Sequence, residues 1–119
     1  MYKNLTIASI LTFALIASAF AMTQNALVAD PEHYTLELEN DQVRIVRIKY
    51  GPGEKSVMHS HGASVAVALT DANFSMTLPD GTVLSESQSA GDATWADAGE
   101  HLPENLSDEA AEVLLIELK

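Results

Sequence analysis

From Tyr34 onward, turn-forming residues divide the chain into short apolar runs, and this spacing restricts the fold more than any other sequence feature. Tyr34 to Leu38 places apolar groups at every second position, and Asn73 to Leu78 does the same. Such alternation is typical of strands that bury one face. Pro79-Asp80-Gly81 predicts a hairpin turn after the second of these strands, because Pro and Gly favour the backbone angles of tight turns.

Further runs at similar spacing complete the set of predicted strands. Val43 to Tyr50 is β-branched and aromatic, and its adjacent Ile45 and Val46 indicate a bulge or a strand buried on both faces. The remaining strands are predicted at Val65 to Leu69, Val83 to Ser89, Ala93 to Ala96, His101 to Asn105 and Val113 to Leu118. A helical pattern is visible from Ser107 to Glu112. Short strands with turns about every 8–12 residues predict an all-β sandwich or small barrel over residues 34–119.

The N-terminal residues 1–21 have the pattern of a secretory signal peptide. Lys3 provides a basic start, Leu5 to Phe20 is apolar and uncharged, and Ala19-Phe20-Ala21 forms a cleavage site. Ala17-Ser18-Ala19 offers a second site. An uncleaved anchor is the alternative, although the run is shorter than the about 20 residues that a spanning helix needs. We therefore expect an exported protein, periplasmic or secreted, in which residues 22–33 form a loose arm before the barrel.

Charge and cysteine content restrict the classes of partner. The sequence has 17 Asp and Glu against 6 Lys and Arg, and Lys3 is the one charged residue within the predicted signal peptide. We expect no binding to nucleic acid and none to membranes after signal cleavage, because both surfaces attract clustered cations. The chain contains no Cys. Its stability must therefore come from a packed core, with help from a bound metal or a partner subunit.

Two segments, Gly53 to His61 and Gly91 to Asn105, carry residues suited to metal binding. In an extended segment His59 and His61 point to the same face, with backbones about 6.6 Å apart, so both imidazoles can reach one ion. A His-x-His pair alone also occurs on protein surfaces, and both interpretations remain open at this point. His101 follows a Gly-rich turn, and a closed antiparallel barrel can bring such distant strands together. His33 falls in the predicted arm and is expected at the surface.

The two segments resemble the motifs of the cupins. The pattern Gly53-x5-His59-x-His61 is similar to the first cupin motif, and the stretch from Gly91 through His101-x3-Asn105 is similar to the second. The resemblance covers about Leu36 to Leu118. It implies a double-stranded β-helix, or jelly-roll barrel, with a ligand site inside. It also implies turn roles for the two glycines and a structural role for Asn105.

The same resemblance implies that His59, His61 and His101 are the ligands of one divalent metal ion, with Fe, Zn, Mn and Ni as candidates. Cupins commonly have a Glu ligand that is separated from the second His of the first motif by three or four residues. In this sequence those positions are Val65 and Ala66. The similarity is therefore to the three-His cupins, and three His ligands are also a known arrangement for zinc.

The second motif departs from the family at Asp97, where Pro is usual, and has one residue fewer between Gly99 and His101. Asp97 and Glu100 are either partners that orient the His101 imidazole or solvated turn residues. Large apolar side chains are either pocket walls or barrel core, and the residues in question are Met58, Phe74, Met76 and Trp95.

Three functional classes are consistent with the sequence. The first is a metal-dependent enzyme, oxygenase-like, acting on a small organic molecule. A neutral three-His shell leaves a divalent ion with its full positive charge, so an anionic or enolisable ligand is expected. The second class is a non-catalytic module that holds a metal or a small ligand. The third is a degenerate, structural cupin acting through its surface, with a homodimer as an open alternative. Whether the chain is an enzyme is left open.

Overall fold

The structure, a computed structural model, describes residues 23–119, and most of these residues lie in antiparallel strands. The strands are β1 (Tyr34–Glu39), β2 (Val43–Tyr50), β3 (His59–His61), β4 (Ser64–Ala68), β5 (Ala72–Thr77), β6 (Val83–Gln88), β7 (Ala93–Ala96), β8 (Gly99–Asn105) and β9 (Ala111–Leu118). One sheet has the order β1-β2-β9-β4-β7, and the other has the order β3-β8-β5-β6. The predicted all-β class is confirmed.

The predicted signal peptide, residues 1–21, lies outside the described residues. Within residues 23–119, the structure has no helix with the length and apolar character that crossing a membrane requires.

The longest pairing joins β2 and β9 at the centre of the five-stranded sheet. Val46 and Tyr50 of β2 face inward with Val113 of β9, and all three side chains are buried in the core. Arg47 points the other way and donates to Glu112 Oε1 at 2.8 Å. This alternation places one apolar face of the sheet against the barrel interior.

The irregularity predicted at Ile45 and Val46 is a β-bulge in the neighbouring strand. β1 pairs Leu36 with Val46 and Leu38 with Ile45, so one extra residue of β1 lies between the two pairs. A bulge of this kind absorbs a change of register in one strand. The alternation of β2 therefore continues without a break, and Val46 stays in the core.

β5 and β6 form the hairpin predicted around Pro79-Asp80-Gly81. Gly81 has a φ of +88°, a conformation that Gly adopts readily because it has no Cβ. The register that follows from this turn pairs Phe74 with Glu86 and Met76 with Leu84. Directly opposed residues of antiparallel strands share one face, so Glu86 lies on the same face as the inward-facing Phe74.

The helical pattern from Ser107 to Glu112 does not form a helix, and β9 begins at Ala111. The buried Asn105 side chain accepts from Ser107 N–H at 3.1 Å and donates to the Glu109 carbonyl at 2.9 Å. These bonds close a tight turn in place of a helix. Burial of Ala111 and Val113 in the core outweighs the weak helical preference of a segment this short.

Residues 23–33 pack against the barrel, whereas the sequence predicted a loose arm. They contain a short helix, α1 (Ala26–Ala29), which the Asn25 side chain caps by accepting from Leu27 N–H at 3.0 Å. Ser60 N–H of β3 donates to the Gln24 carbonyl at 2.9 Å. Core packing of Ala26 and the side-chain contact from Ser56 to Asp30 also hold the segment. None of these contacts follows from strand alternation, so periodicity in the sequence does not reveal them.

Candidate functional site

The three predicted ligand residues converge on one face of the four-stranded sheet. β3 and β8 are paired so that His59 lies opposite His101, and His61 lies opposite Gly99. The ring centroids of His59 and His101 are 4.9 Å apart, and those of His61 and His101 are 4.5 Å apart. The shortened turn before His101 therefore does not aim its imidazole away from the other two.

Backbone carbonyls orient two of these imidazoles. His59 Nδ1 lies 2.8 Å from the Val57 carbonyl oxygen, and His61 Nδ1 lies 3.1 Å from the Gly62 carbonyl oxygen. A carbonyl only accepts, so each Nδ1 must carry the proton and donate. In the neutral ring the proton-free lone pair is then on Nε2, which is the arrangement that metal-binding histidines commonly have.

The environment of the cluster favours neutral imidazoles. Burial, followed by repulsion from His61 and His59, lowers the pKa of His101 to about 3. Burial also lowers the pKa of His59, although its hydrogen bond to Val57 acts in the opposite direction. Neutral imidazole is the form that binds metal. The chemistry of the three side chains is therefore that of nitrogen ligands.

A chain of buried polar side chains leads away from His59. Ser56 Oγ lies 3.4 Å from His59 Nδ1 and donates to Asp30 Oδ2 at 2.6 Å. His33 Nδ1 donates to the same Asp30 oxygen at 2.7 Å, and His33 Nε2 lies 2.7 Å from Glu54 Oε2. This network joins the end of the N-terminal segment to the loop that leads into β3.

His33 is buried, which corrects the prediction that it lies at the surface. Its ring stacks on Tyr50 with 4.6 Å between centroids, and it is 8% exposed. Burial alone would lower the pKa of His33, but its hydrogen bonds to Glu54 and Asp30 outweigh burial and raise it. This role could not be predicted from local sequence, because Glu54 lies 21 residues from His33 along the chain.

His33 also belongs to the one group of described residues whose metal-binding atoms all lie within 4.8 Å of one another, which consists of Glu32, His33 and Glu54. Both of its ring nitrogens already bond carboxylates, and its raised pKa favours the protonated ring. A protonated imidazole is not a metal ligand. The donor atoms of His59, His61 and His101 do not all lie within that distance of one another. By protonation state the three-imidazole cluster is still the better candidate, since its Nε2 atoms have no carboxylate partners.

A cavity of about 850 Å³ adjoins the three imidazoles. Apolar side chains of both sheets line it, including Ile48, Phe74 and Leu115, and residues of β6 and β7 bound it on one side. β6 and β7 are the end strands of their sheets, so the cavity lies where the two sheets are not joined by backbone pairing. Gln88 Nε2 donates to Thr94 Oγ1 at 2.6 Å and links the two edges.

The structure distinguishes between the two positions at which the family's Glu would be expected. Ala66 lines the cavity, whereas Val65 does not. Val65 is paired with Trp95 and Ile116, and strand alternation directs it to the outer face. A carboxylate could therefore enter the cavity from position 66 and not from position 65.

The other residues noted in the sequence separate into cavity and surface positions. Phe74, Met76 and Trp95 line the cavity and Met58 does not; Trp95 is also 57% exposed. Trp95 Nε1 donates to Asp97 Oδ1 at 2.8 Å. Within residues 23–119, no hydrogen bond joins Asp97 or Glu100 to His101, so neither acid orients that imidazole.

Glu86 is a cavity residue that the sequence analysis did not select. It lies on β6 opposite Phe74 and lines the cavity, and the residue is exposed to solvent. Within the part of the chain that the structure describes, no ion pair involves its carboxylate. The signal was available in the sequence, because the Pro79-Asp80-Gly81 turn fixes the register that places Glu86 opposite Phe74.

Comparison with solved structures finds similar barrels. A cupin domain from Bordetella pertussis Tohama I is 25% identical, covers 72% of this chain and 91% of its own, and superposes with a TM-score of 0.67. A cupin with a double-stranded β-helix fold from Methanocaldococcus jannaschii is 16% identical, with 75% and 83% of the two chains covered and a TM-score of 0.56.

An oxalate decarboxylase structure also superposes, with a TM-score of 0.54, 20% identity, and 72% of this chain but 26% of that chain covered. A scan against protein-family models found no match. A search of curated proteins also found no match.

Proposed function

We propose that, in this small cupin with a double-stranded β-helix fold, His59, His61 and His101 together bind one divalent metal ion. The observation that carries the proposal is the pairing of His59 with His101 across β3 and β8, with His61 beside them. In His59 and His61 the Nδ1–H group donates to a backbone carbonyl, which leaves the Nε2 lone pair available to a metal ion. Fe, Zn, Mn and Ni all remain candidates.

We further propose that the site is catalytic and acts on a small organic molecule that is anionic or enolisable. A bound divalent ion would supply Lewis acidity and open coordination positions. The three ligands are neutral, so they would leave its charge uncompensated and favour an anionic donor atom. The chain itself contributes the side chains that surround the imidazoles. One of them is Tyr34, whose ring packs edge-on against His59 with 4.9 Å between the ring centroids. One of the compared structures is an oxalate decarboxylase, so the fold is compatible with chemistry on a small organic acid.

Elemental analysis of the purified chain tests metal binding. We expect about one ion per chain in the parent, and a loss of most of it in His59→Ala, His61→Ala and His101→Ala. His33→Gln is the matched control, because it changes the remaining histidine and should keep the ion. Full occupancy in all three single variants would refute the site. Metal without turnover or oxygen uptake would favour the non-catalytic binding module.

We also propose that the protein is exported to the periplasm or secreted, on the basis of the signal-peptide pattern in residues 1–21. A small molecule is the proposed partner, because the imidazoles adjoin a cavity of about 850 Å³, within the range of ligand sites. Association of two copies as a homodimer stays a prediction.

A further inference from the structure

The cavity wall contains carboxylates but no fixed cation. Glu86, Asp97 and Glu100 are among the residues that line it, and no Lys or Arg is. The sequence has no Lys or Arg between Lys55 and Lys119, so strands β3 to β9 add only acidic charge around the cavity. The potential inside it is therefore negative wherever a bound metal ion is not close.

Of these three acids, Glu86 is the one directed inward. Asp97 accepts a hydrogen bond from the exposed Trp95 indole. Glu100 is next to the inward-facing His101 on β8, so strand alternation turns its side chain to the other face. Glu86 shares a face with Phe74 and makes no ion pair with any residue in the 23–119 range. Its carboxylate is available to a ligand in the cavity.

Glu86 is far from the imidazoles within the same cavity. Phe74 pairs with Glu86 on one side and with Asn105 on the other, and Asn105 is four residues beyond His101 on β8. On a regular sheet this register separates the two backbones by about 10 Å across the strands and about 13 Å along them. Glu86 therefore cannot share an ion with His101. It can bind the other end of a molecule that reaches the imidazoles.

We propose that the cavity selects organic molecules that carry a cationic group, such as an ammonium, and that Glu86 binds this group beside the Phe74 ring. A carboxylate next to an aromatic face stabilises an organic cation through charge and through the ring quadrupole. The proposal deepens the proposed function and rests on it for the imidazole end. The complete ligand would have an anionic or enolisable end towards the imidazoles and a cationic end at Glu86.

Three molecules of nearly equal shape test this charge preference: choline, the neutral 3,3-dimethyl-1-butanol and the anionic 3,3-dimethylbutanoate. Each is titrated into the zinc-loaded, isotope-labelled chain while the NMR signals of the β5 and β6 amides are followed. We expect the dissociation constant of choline to be at least about fivefold lower than that of the alcohol, as one favourable charge contact implies. The shifts on choline binding should be centred on Glu86 and Phe74.

Two variants and one independent measurement separate the possible causes. Glu86→Gln should reduce the preference for choline to less than about twofold. Glu104→Gln should keep it, because Glu104 is paired with Ser75 on the opposite face of the same sheet. Choline binding no tighter than the alcohol, or a preference that survives Glu86→Gln, would overturn the proposal. Zinc content of the same samples tests the imidazole site separately, since loss of zinc with the choline preference intact refutes only the metal site.

Discussion

Replacing Asp30 with Asn tests the buried network that joins the N-terminal segment to the loop before β3. Asp30 is 8% exposed and accepts from Ser56 Oγ at 2.6 Å and from His33 Nδ1 at 2.7 Å. Asn has the same shape and can keep one acceptor, but it carries no charge. The substitution therefore removes the electrostatic part of both contacts and leaves the packing in place.

The expected cost follows from these contacts. A hydrogen bond to a charged group contributes about 1.5–3 kcal/mol, and Asn retains part of that. We expect Asp30→Asn to lower the free energy of unfolding by about 2 kcal/mol near neutral pH. For a domain of this size, such a loss lowers the Tm by about 8–16 °C.

The pH dependence of the loss tests its cause. The pKa of His33 is raised in the fold, because hydrogen bonds to Glu54 and Asp30 outweigh the effect of burial. Because the fold favours the protonated His33 ring, His33 contributes its full stabilisation below the unfolded His pKa of about 6.5. This stabilisation disappears as pH rises through the pKa of His33 in the fold. The difference in stability between the parent and Asp30→Asn should therefore be larger at about pH 6 than at about pH 9.

Urea unfolding of the metal-free chain, followed by far-UV circular dichroism, measures this difference. Asp41→Asn is the control, because Asp41 is exposed in the turn between β1 and β2 and should change the stability by less than about 0.5 kcal/mol. A loss of that size in Asp30→Asn, or a difference that grows as pH rises, would refute the account of the network.

Three further predictions concern the site and the N-terminus. Metal-free protein should lose stability as pH falls from about 6.5 towards about 3. In this range the His101 side chain takes up a proton in the unfolded chain but not in the fold, where its pKa is lowered to about 3. Urea unfolding should show a weaker dependence of stability on pH in His101→Ala, and an unchanged dependence would contradict this prediction. Ala66→Glu should weaken azide binding to the cobalt-loaded chain at least about tenfold, because the new carboxylate cancels part of the positive charge of the ion, whereas Val65→Glu should not. Absorption titrations with azide measure the affinity of both variants. Equal effects would contradict the placement of residue 66 inside the cavity and residue 65 outside it. Intact-mass measurement of the exported protein should show Met22 as the first residue, or Phe20 as the second choice, and a detergent-extracted species that begins at Met1 would indicate an anchor.

Local sequence signals predicted much of the fold, because they act over a few residues. The Pro79-Asp80-Gly81 turn predicted a hairpin, and β5 and β6 form it in the structure. Alternation placed His59 and His61 on one side of a strand, and the family resemblance brought in His101, which lies opposite His59 in the structure.

The features that sequence reasoning missed depend on side-chain hydrogen bonds and on burial, which apolar periodicity does not encode. His33 is buried because Asp30 and Glu54 bond its two nitrogens from different parts of the chain. Ser107 to Glu112 has a weak helical pattern, but Asn105 closes a turn there and the core takes Ala111 into a strand. Neither outcome is encoded in the period of the local sequence.

The attachment of the N-terminal segment to β3 would link the proposed signal cleavage to assembly of the proposed site. β3 spans only His59–His61, and on its outer side Ser60 bonds the carbonyls of Thr23 and Gln24. The proposed signal cleavage after Ala21 would leave one residue before this contact. A peptidase that cut a few residues later would remove the backbone that braces the strand carrying two of the three imidazoles. Accurate processing would then be a condition for a competent site, and a misprocessed chain would be exported with its barrel formed but its imidazoles poorly held.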